Sequence, residues 1–158
     1  PLLLASPVSG LAIATGKWAA LFGFVVVQVG LVSLLPFILM AGGRLDGGLI
    51  AAQVLALVLL GATFSALGIF FSTLTRQPAG AAAATFSILL IAWILGWQGP
   101  GDETGGLAGW LHYLSWQLHL DRMLKGWVDT ADVAYFMIFT VALIAAAGHR
   151  VERLRAGH

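Results

Sequence analysis

Four long stretches of this chain contain no Asp, Glu, Lys or Arg. They hold 26, 29, 25 and 17 residues, and a charged residue bounds each end. The bounding pairs are Lys17 and Arg44, Asp46 and Arg76, Arg76 and Asp102, and Asp132 and Arg150. A helix needs about 20 mostly apolar residues to cross the hydrocarbon core of a bilayer. The sequence therefore predicts four transmembrane helices, near residues 18–40, 48–73, 78–97 and 132–149.

The overall composition agrees with a membrane location. Hydrophobic residues make up 59% of the 158 residues, and charged residues make up only 9%. A typical soluble domain has about 25% charged residues, so a water-soluble fold of this chain would expose much apolar surface. The composition predicts an all-α, polytopic membrane protein in which residues 1–158 form a single transmembrane domain. The net charge of +1 provides no long-range attraction to nucleic acid, so no such partner is expected.

A fifth charge-free interval, residues 104–120, is more polar than the other four because it contains His112, Gln117 and His119. Apolar residues recur in it at spacings of three and four, which is the pattern of one apolar helix face. They are Leu107, Trp110, Leu111, Leu114 and Leu118. We interpret this interval as an amphipathic helix that lies at the membrane surface or dips into it. The segment 98–131 is then expected to be extracytoplasmic without crossing the membrane.

The distribution of charges predicts the orientation. With four spans, both ends of the chain lie on one side of the membrane, together with the loop at Arg76. That side holds five basic residues and one acid, Glu152, whereas the other holds three basic residues and six acids. Cytoplasmic loops carry the excess of Lys and Arg. We therefore expect residues 1–17 and the tail 150–158 to be cytoplasmic.

Small and polar residues within the spans predict how the helices pack. Gly61, Ser65 and Gly68 share one face of the second span, and small residues let a neighbouring helix approach closely. This face is expected to pack against another helix of the chain, with a dimer contact as the alternative. Gln28 and Gln53 place amide groups inside spans, where each needs a partner in another helix or in a water-filled path.

The sequence predicts no catalytic residue, metal site or bound cofactor, and therefore no enzyme. No charged residue lies in the middle of a span, and the motifs of intramembrane proteases are absent. The absence of cysteine excludes disulfides and thiolate ligands. His112 and His119 would share a helix face near Asp121, but two histidines do not supply a third fixed metal ligand. A polar interfacial face is the simpler interpretation of these histidines.

The pair Gly16-Lys17 superficially resembles the end of a phosphate-binding loop. That loop has four residues between its glycines and a Ser or Thr after the Lys. Here five residues separate Gly10 from Gly16, and Trp18 follows the Lys. We therefore do not expect this chain to bind ATP itself.

Four stretches of the sequence are similar to one known family. "LLLASPVSGLAIATGKW" begins the likeness, with Leu3, Leu4, Ser6, Pro7, Val8, Ser9, Gly16 and Lys17 at matching positions. "LGIFFSTLTRQPAGAAA" follows, matching at Gly68, Ser72, Leu74, Thr75 and Arg76. "YLSWQLHLDRMLKGWVDTADVAYF" matches at His119, Gly126, Asp129, Asp132, Tyr135 and Phe136, and "HRVERLR" resembles a short basic tail. The family is that of the gliding-motility-type permease subunits of type 2 ABC exporters.

This resemblance implies a permease subunit that works with a separate ABC ATPase and with a second permease subunit, identical or different. ATP would be bound by the ATPase, and the complex would lie in the lipid of the cell (inner) membrane. Leu3, Leu4, Ser6, Pro7, Val8 and Ser9 would form the segment that couples ATPase closure to helix movement. The family has six spans, so we expect the chain to be the C-terminal four-span portion of a longer protein, as its start at Pro1 also suggests.

Two other functional classes remain open at this stage. One is a membrane anchor or assembly subunit that transports nothing. The other is a membrane-embedded enzyme, which the lack of titratable groups inside the spans disfavours.

Overall fold

The computed structural model describes residues 9–43, 46–75, 77–97 and 115–156, and this part of the chain contains helices and no strands. The helices are α1 (Gly10–Gly42), α2 (Gly47–Leu74), α3 (Pro78–Trp97), α4 (Trp116–Leu124) and α5 (Thr130–Ala156). The all-α prediction is confirmed. By length and apolar composition, α1, α2 and α5 can each cross a membrane, and α3 has a shorter apolar part over Pro78–Ile94.

Two helices extend beyond the predicted spans at the side expected to be cytoplasmic. Helix α1 begins at Gly10, so Lys17 lies two turns inside it rather than before it. Its start is set by Ser9, whose hydroxyl oxygen accepts a hydrogen bond from the backbone N–H of Ala12 at 3.2 Å. Helix α5 continues through the basic residues to Ala156. The start of α1 follows its capping residue, whereas the predicted start followed a charge.

Helix α2 is the centre of the fold because it packs against α1, α3, α4 and α5. Its buried residues are mostly small, which lets its neighbours approach closely. One apolar cluster joins α1, α2 and α5 at the basic end of the molecule, and contains Ala14, Ala66, Ile69, Ile144 and Ala147. A second joins α2, α4 and α5 at the other end, and contains Ala56, Leu59, Leu120, Met123 and Phe136.

Helices α1 and α5 cross closely at two glycines. A methyl group added at Gly10 would lie 2.6 Å from the carbonyl oxygen of Gly148. A methyl group added at Gly148 would lie 3.0 Å from Cα of Leu11. Both clashes involve backbone atoms, so the two helices could not keep this distance with larger residues.

The outward surface of α1 is apolar and exposed. Phe24, Val27, Leu31, Leu35 and Ile38 are each more than half exposed. In water such a continuous apolar surface would be unfavourable, whereas lipid tails solvate it. The structure therefore has the character of a membrane protein.

Candidate functional site

A buried polar cluster joins α4 to α5. His119 of α4 and Asp132 of α5 are both 0% exposed, and His119 Nδ1 lies 2.6 Å from Asp132 Oδ1. The Arg122 side chain is 43% exposed, and its Nη2 lies 3.0 Å from the same carboxylate oxygen. The Tyr135 ring stacks on the His119 ring with their centroids 4.1 Å apart. We refer to His119, Arg122, Asp132 and Tyr135 as the His119–Asp132 site.

Local structure explains how these side chains meet. His119 and Arg122 are three residues apart on α4 and so lie on neighbouring positions of one helix face. Asp132 lies in the first turn of α5, where the helix dipole favours a negative charge. Asp129 begins that turn, because its carboxylate accepts a hydrogen bond from the Ala131 N–H at 3.3 Å.

A tight turn after α4 brings α5 back against it. Gly126 has a φ of +88°, a conformation that residues with a side chain rarely adopt. Its N–H donates to the carbonyl of Met123 at 3.0 Å, and the N–H of Trp127 donates to the carbonyl of Arg122 at 3.1 Å. These bonds satisfy carbonyl groups at the end of α4 and direct the chain towards Asp132.

The contacts of α4 show that it lies beside α2 and not beyond its end. Trp116, at the start of α4, packs edge-on against Phe64 with ring centroids 5.4 Å apart. At the other end, Gln53 Nε2 donates to the carbonyl of Leu124 at 3.1 Å. Phe64 lies about 26 Å along α2 from Gly47, and Gln53 lies about 9 Å along it. Helix α4 therefore starts beside the middle of α2 and runs back towards the start of α2.

Some polar atoms of the His119–Asp132 site have no hydrogen-bond partner. Asp132 Oδ1 receives both basic partners, whereas Asp132 Oδ2 and Arg122 Nε are buried without a hydrogen-bond partner. Removing one member of a buried ion pair leaves an uncompensated charge and typically costs about 3–5 kcal/mol. The arrangement therefore joins α4 to α5 through the Asp132 carboxylate.

The predicted helix-packing residues behave differently from one another. A methyl group at Gly61 would collide with the Val25 side chain of α1, so this glycine does permit a close helix contact. Ser65 is buried in α2. Gly68 has no atom within 4 Å of an added methyl group, so it is not part of a tight contact within the described residues. Instead it lines an apolar crevice between α1 and α2, together with Gly61 and Phe64.

The two predicted intramembrane glutamines also differ. Gln53 bonds to Leu124 as described, so its amide has an interhelical partner. Gln28 is exposed on α1, so its side chain is not buried between the helices described here. Of the coupling residues, Leu3, Leu4, Ser6, Pro7 and Val8 lie outside the described residues. Ser9 is the residue that caps α1.

The assignment of His119 to a polar helix face at the membrane interface was wrong, because this side chain is fully buried and pairs with a carboxylate. Asp121, its expected neighbour in a metal site, is exposed, and His112 lies outside the described residues. No group of three metal-ligating side chains occurs in the part of the chain that the structure describes. The His119–Asp132 site was not predicted, because Asp132 served only as the boundary of a predicted span. The signal for this site in the sequence was the stretch similar to the permease family, which contains His119, Gly126, Asp132 and Tyr135.

Comparison of this chain with models of protein families, with curated proteins and with solved structures found no match.

Proposed function

We propose that this chain is the membrane-spanning permease subunit of an ATP-driven transporter, of the type 2 exporter class that its sequence resembles. One observation carries the proposal. The residues by which the third stretch resembles those permeases are also the residues that build or support the buried site. His119, Asp132 and Tyr135 form it, Gly126 makes the turn into it, and Phe136 is fully buried beneath it.

The contacts at the basic end suit a mechanical coupling role. The proposed coupling segment leads directly into Ser9, which caps α1, so a movement of the segment moves the start of this helix. Helix α1 is in turn packed against the end of α5 at Gly10 and Gly148. A push on residues 3–9 would therefore displace α1 and α5 together.

The contacts at the other end of the molecule suit a role in opening and closing a transport path. Helix α5 contacts α4 through the His119–Asp132 site, and α4 runs beside the half of α2 that begins at Gly47. A displacement of α5 would therefore move α4 as well. In the proposed transporter this movement opens a path towards the outside, while ATP binding and hydrolysis take place in a partner ATPase. The remaining partners are a second permease subunit and membrane lipid.

The proposal requires an ATPase with a Walker motif encoded beside the gene of this protein, and it is tested by reconstituting the two proteins together in liposomes. We expect the two to form a complex in which the membrane subunit stimulates ATP hydrolysis severalfold. A Walker-lysine variant of the ATPase is the control and should abolish that hydrolysis. A protein that inserts normally but neither binds nor stimulates the ATPase would overturn the proposal. Stimulated hydrolysis without release of any entrapped compound would favour the anchor or assembly subunit instead.

A further inference from the structure

The start of α4 has buried polar groups that no atom of the described chain satisfies. The Ser115 hydroxyl, the Trp116 indole N–H and the Gln117 side-chain oxygen are each buried without a hydrogen-bond partner. Ser115 is only 4% exposed. An unsatisfied buried polar group typically costs about 1–3 kcal/mol, so three in consecutive residues require an explanation.

The same position is a helix N-terminus that is not capped. The first backbone N–H groups of a helix have no partner within it, and Ser115, the capping residue, makes no side-chain bond to them. Here, therefore, backbone donors and two side-chain donors occur together at the positive end of the α4 dipole. Gln117 adds donors when its amide is rotated by 180°, because the NH₂ group then takes the place of the oxygen.

Among the described residues, one acid of α5 lies near this position, because the Asp132 carboxylate contacts His119, which is one helical turn from Ser115. The positive charge of Arg122 pairs with the same carboxylate. Trp116 packs against Phe64 near the middle of α2, and α2 contains no charged residue. The nearest acid of α4 is Asp121, six residues further on and about 9 Å along the helix axis. Donors in an apolar setting interact strongly with an anion, because little water competes for them.

We propose that the start of α4, at Ser115 and Trp116, binds a phosphate oxyanion. Buried helix N-termini inside membrane proteins bind anionic groups for this same physical reason. The proposal concerns a binding site in this chain and does not require that the chain be a transporter.

An apolar crevice shares Phe64 with the start of α4, which favours the head group of an amphiphile as the source of the oxyanion. Phe64 contacts Trp116 on one side and also lines the crevice between α1 and α2, which has a volume of about 370 Å³. The crevice is lined almost entirely by apolar groups, with Leu21, Phe24 and Val25 from α1. A hydrocarbon tail in this crevice would contact Phe64, the residue that also contacts Trp116.

The test is a calorimetric titration of the purified full-length protein in uncharged maltoside micelles. Dodecyl phosphate, inorganic phosphate and dodecanol are the three ligands, and empty micelles provide the baseline. We expect dodecyl phosphate to bind saturably and dodecanol not to bind. Inorganic phosphate binding as tightly as dodecyl phosphate would assign the site to a free oxyanion. Binding of neither phosphate would overturn the site.

Two variants locate the binding. Ser115→Ala removes the hydroxyl donor, and Trp116→Phe removes the indole N–H while keeping an aromatic ring against Phe64. Each should weaken oxyanion binding roughly tenfold, because each removes one hydrogen bond to a charged group. Trp127→Phe is the matched control, since Trp127 is 78% exposed in the turn after α4, and it should leave affinity unchanged. Unchanged affinity in both test variants would overturn the assignment.

A stability measurement separates a ligand site from a structural role. Without ligand, the Ser115 hydroxyl has no partner, so Ser115→Ala should unfold at the wild-type temperature or slightly above it. Trp116→Phe is left out of this comparison, because it also removes packing against Phe64. Added dodecyl phosphate should raise the unfolding temperature of the wild type more than that of either variant. A clear loss of stability in ligand-free Ser115→Ala would show that this hydroxyl bonds to the protein itself, and would contradict the proposal.

Discussion

His119 Nδ1 lies 2.6 Å from Asp132 Oδ1, and neither side chain is exposed. The two residues are thirteen positions apart and belong to different helices, so their pairing joins α4 to α5. The Arg122 guanidinium adds a second partner from α4, at 3.0 Å from the same carboxylate oxygen. The association of α4 with the rest of the fold therefore depends on electrostatics as well as on the apolar cluster around Met123 and Phe136.

Replacing Asp132 with Ala should destabilise the protein strongly. The change leaves His119 and Arg122 without their shared acceptor, and we expect a loss of about 3–5 kcal/mol in the free energy of unfolding. Denaturant unfolding in detergent measures it. Asp121→Ala is the matched control because Asp121 is an exposed acid on α4, and it should change stability by less than about 0.5 kcal/mol. Equal effects of the two changes would show that the buried pair does not hold α4.

Gly10→Ala should disturb the crossing of α1 and α5. The new methyl group would lie 2.6 Å from the Gly148 carbonyl oxygen, so the helices must separate, at a cost of about 1–3 kcal/mol. Gly16→Ala is the control in the same helix, since nothing lies within 4 Å of a methyl group there. It should be neutral or stabilising by up to about 1 kcal/mol. Thermal unfolding in detergent measures the stability of both variants. A Gly10→Ala protein as stable as Gly16→Ala would contradict the close crossing of α1 and α5.

The orientation can be measured with single cysteines, because the chain has none of its own. Gln77, Trp127 and Ala156 are exposed positions suitable for replacement. On intact cells an impermeant thiol reagent should label the cysteine at position 127 only. The cysteines at 77 and 156 should react only after the membrane is opened, as the basic excess at their end of the molecule predicts. Labelling at position 156 on intact cells would reverse the orientation.

Leu4→Asp tests the proposed coupling segment. If residues 3–9 rest in a cleft of the ATPase, the new carboxylate would be buried there without a partner, which costs several kcal/mol. Binding of the ATPase and stimulation of its activity should both fall by at least tenfold. Insertion should not change, and labelling at position 156 in opened membranes provides that control. A variant that inserts, binds its ATPase and stimulates it normally would exclude this segment from coupling.

Much of the helical framework could be predicted from local sequence. The charge-free intervals located the four long helices, because crossing an apolar layer requires a run of apolar residues and hydrogen-bonded backbone. Their ends were less predictable, since α1 begins at the Ser9 cap and not at Lys17. Composition alone also accounts for the exposed apolar surface of α1, which needs lipid around it.

Only the tertiary structure distinguished residues that the sequence treats alike. Gln28 and Gln53 are both amides within apolar helices, yet Gln53 meets the carbonyl of Leu124 and Gln28 faces outward. Gly61 and Gly68 share a face of α2, yet only Gly61 is in close contact with α1. The outcome depends on how each helix is rotated and crossed, which is decided by packing over the whole molecule.

The His119–Asp132 site shows the same division. The sequence by itself determined that Asp132 would stand near the start of an apolar helix. The amphipathic helix predicted over residues 104–120 lies mostly outside the described residues and shares only residues 116–120 with α4. The sequence did not determine that α4 and α5 would meet, because that requires the turn at Gly126 and the contacts of Trp116 and Leu124 along α2. Hydrophobic periodicity depends on neighbours along the chain, whereas a buried ion pair depends on where two separate helices are placed in space.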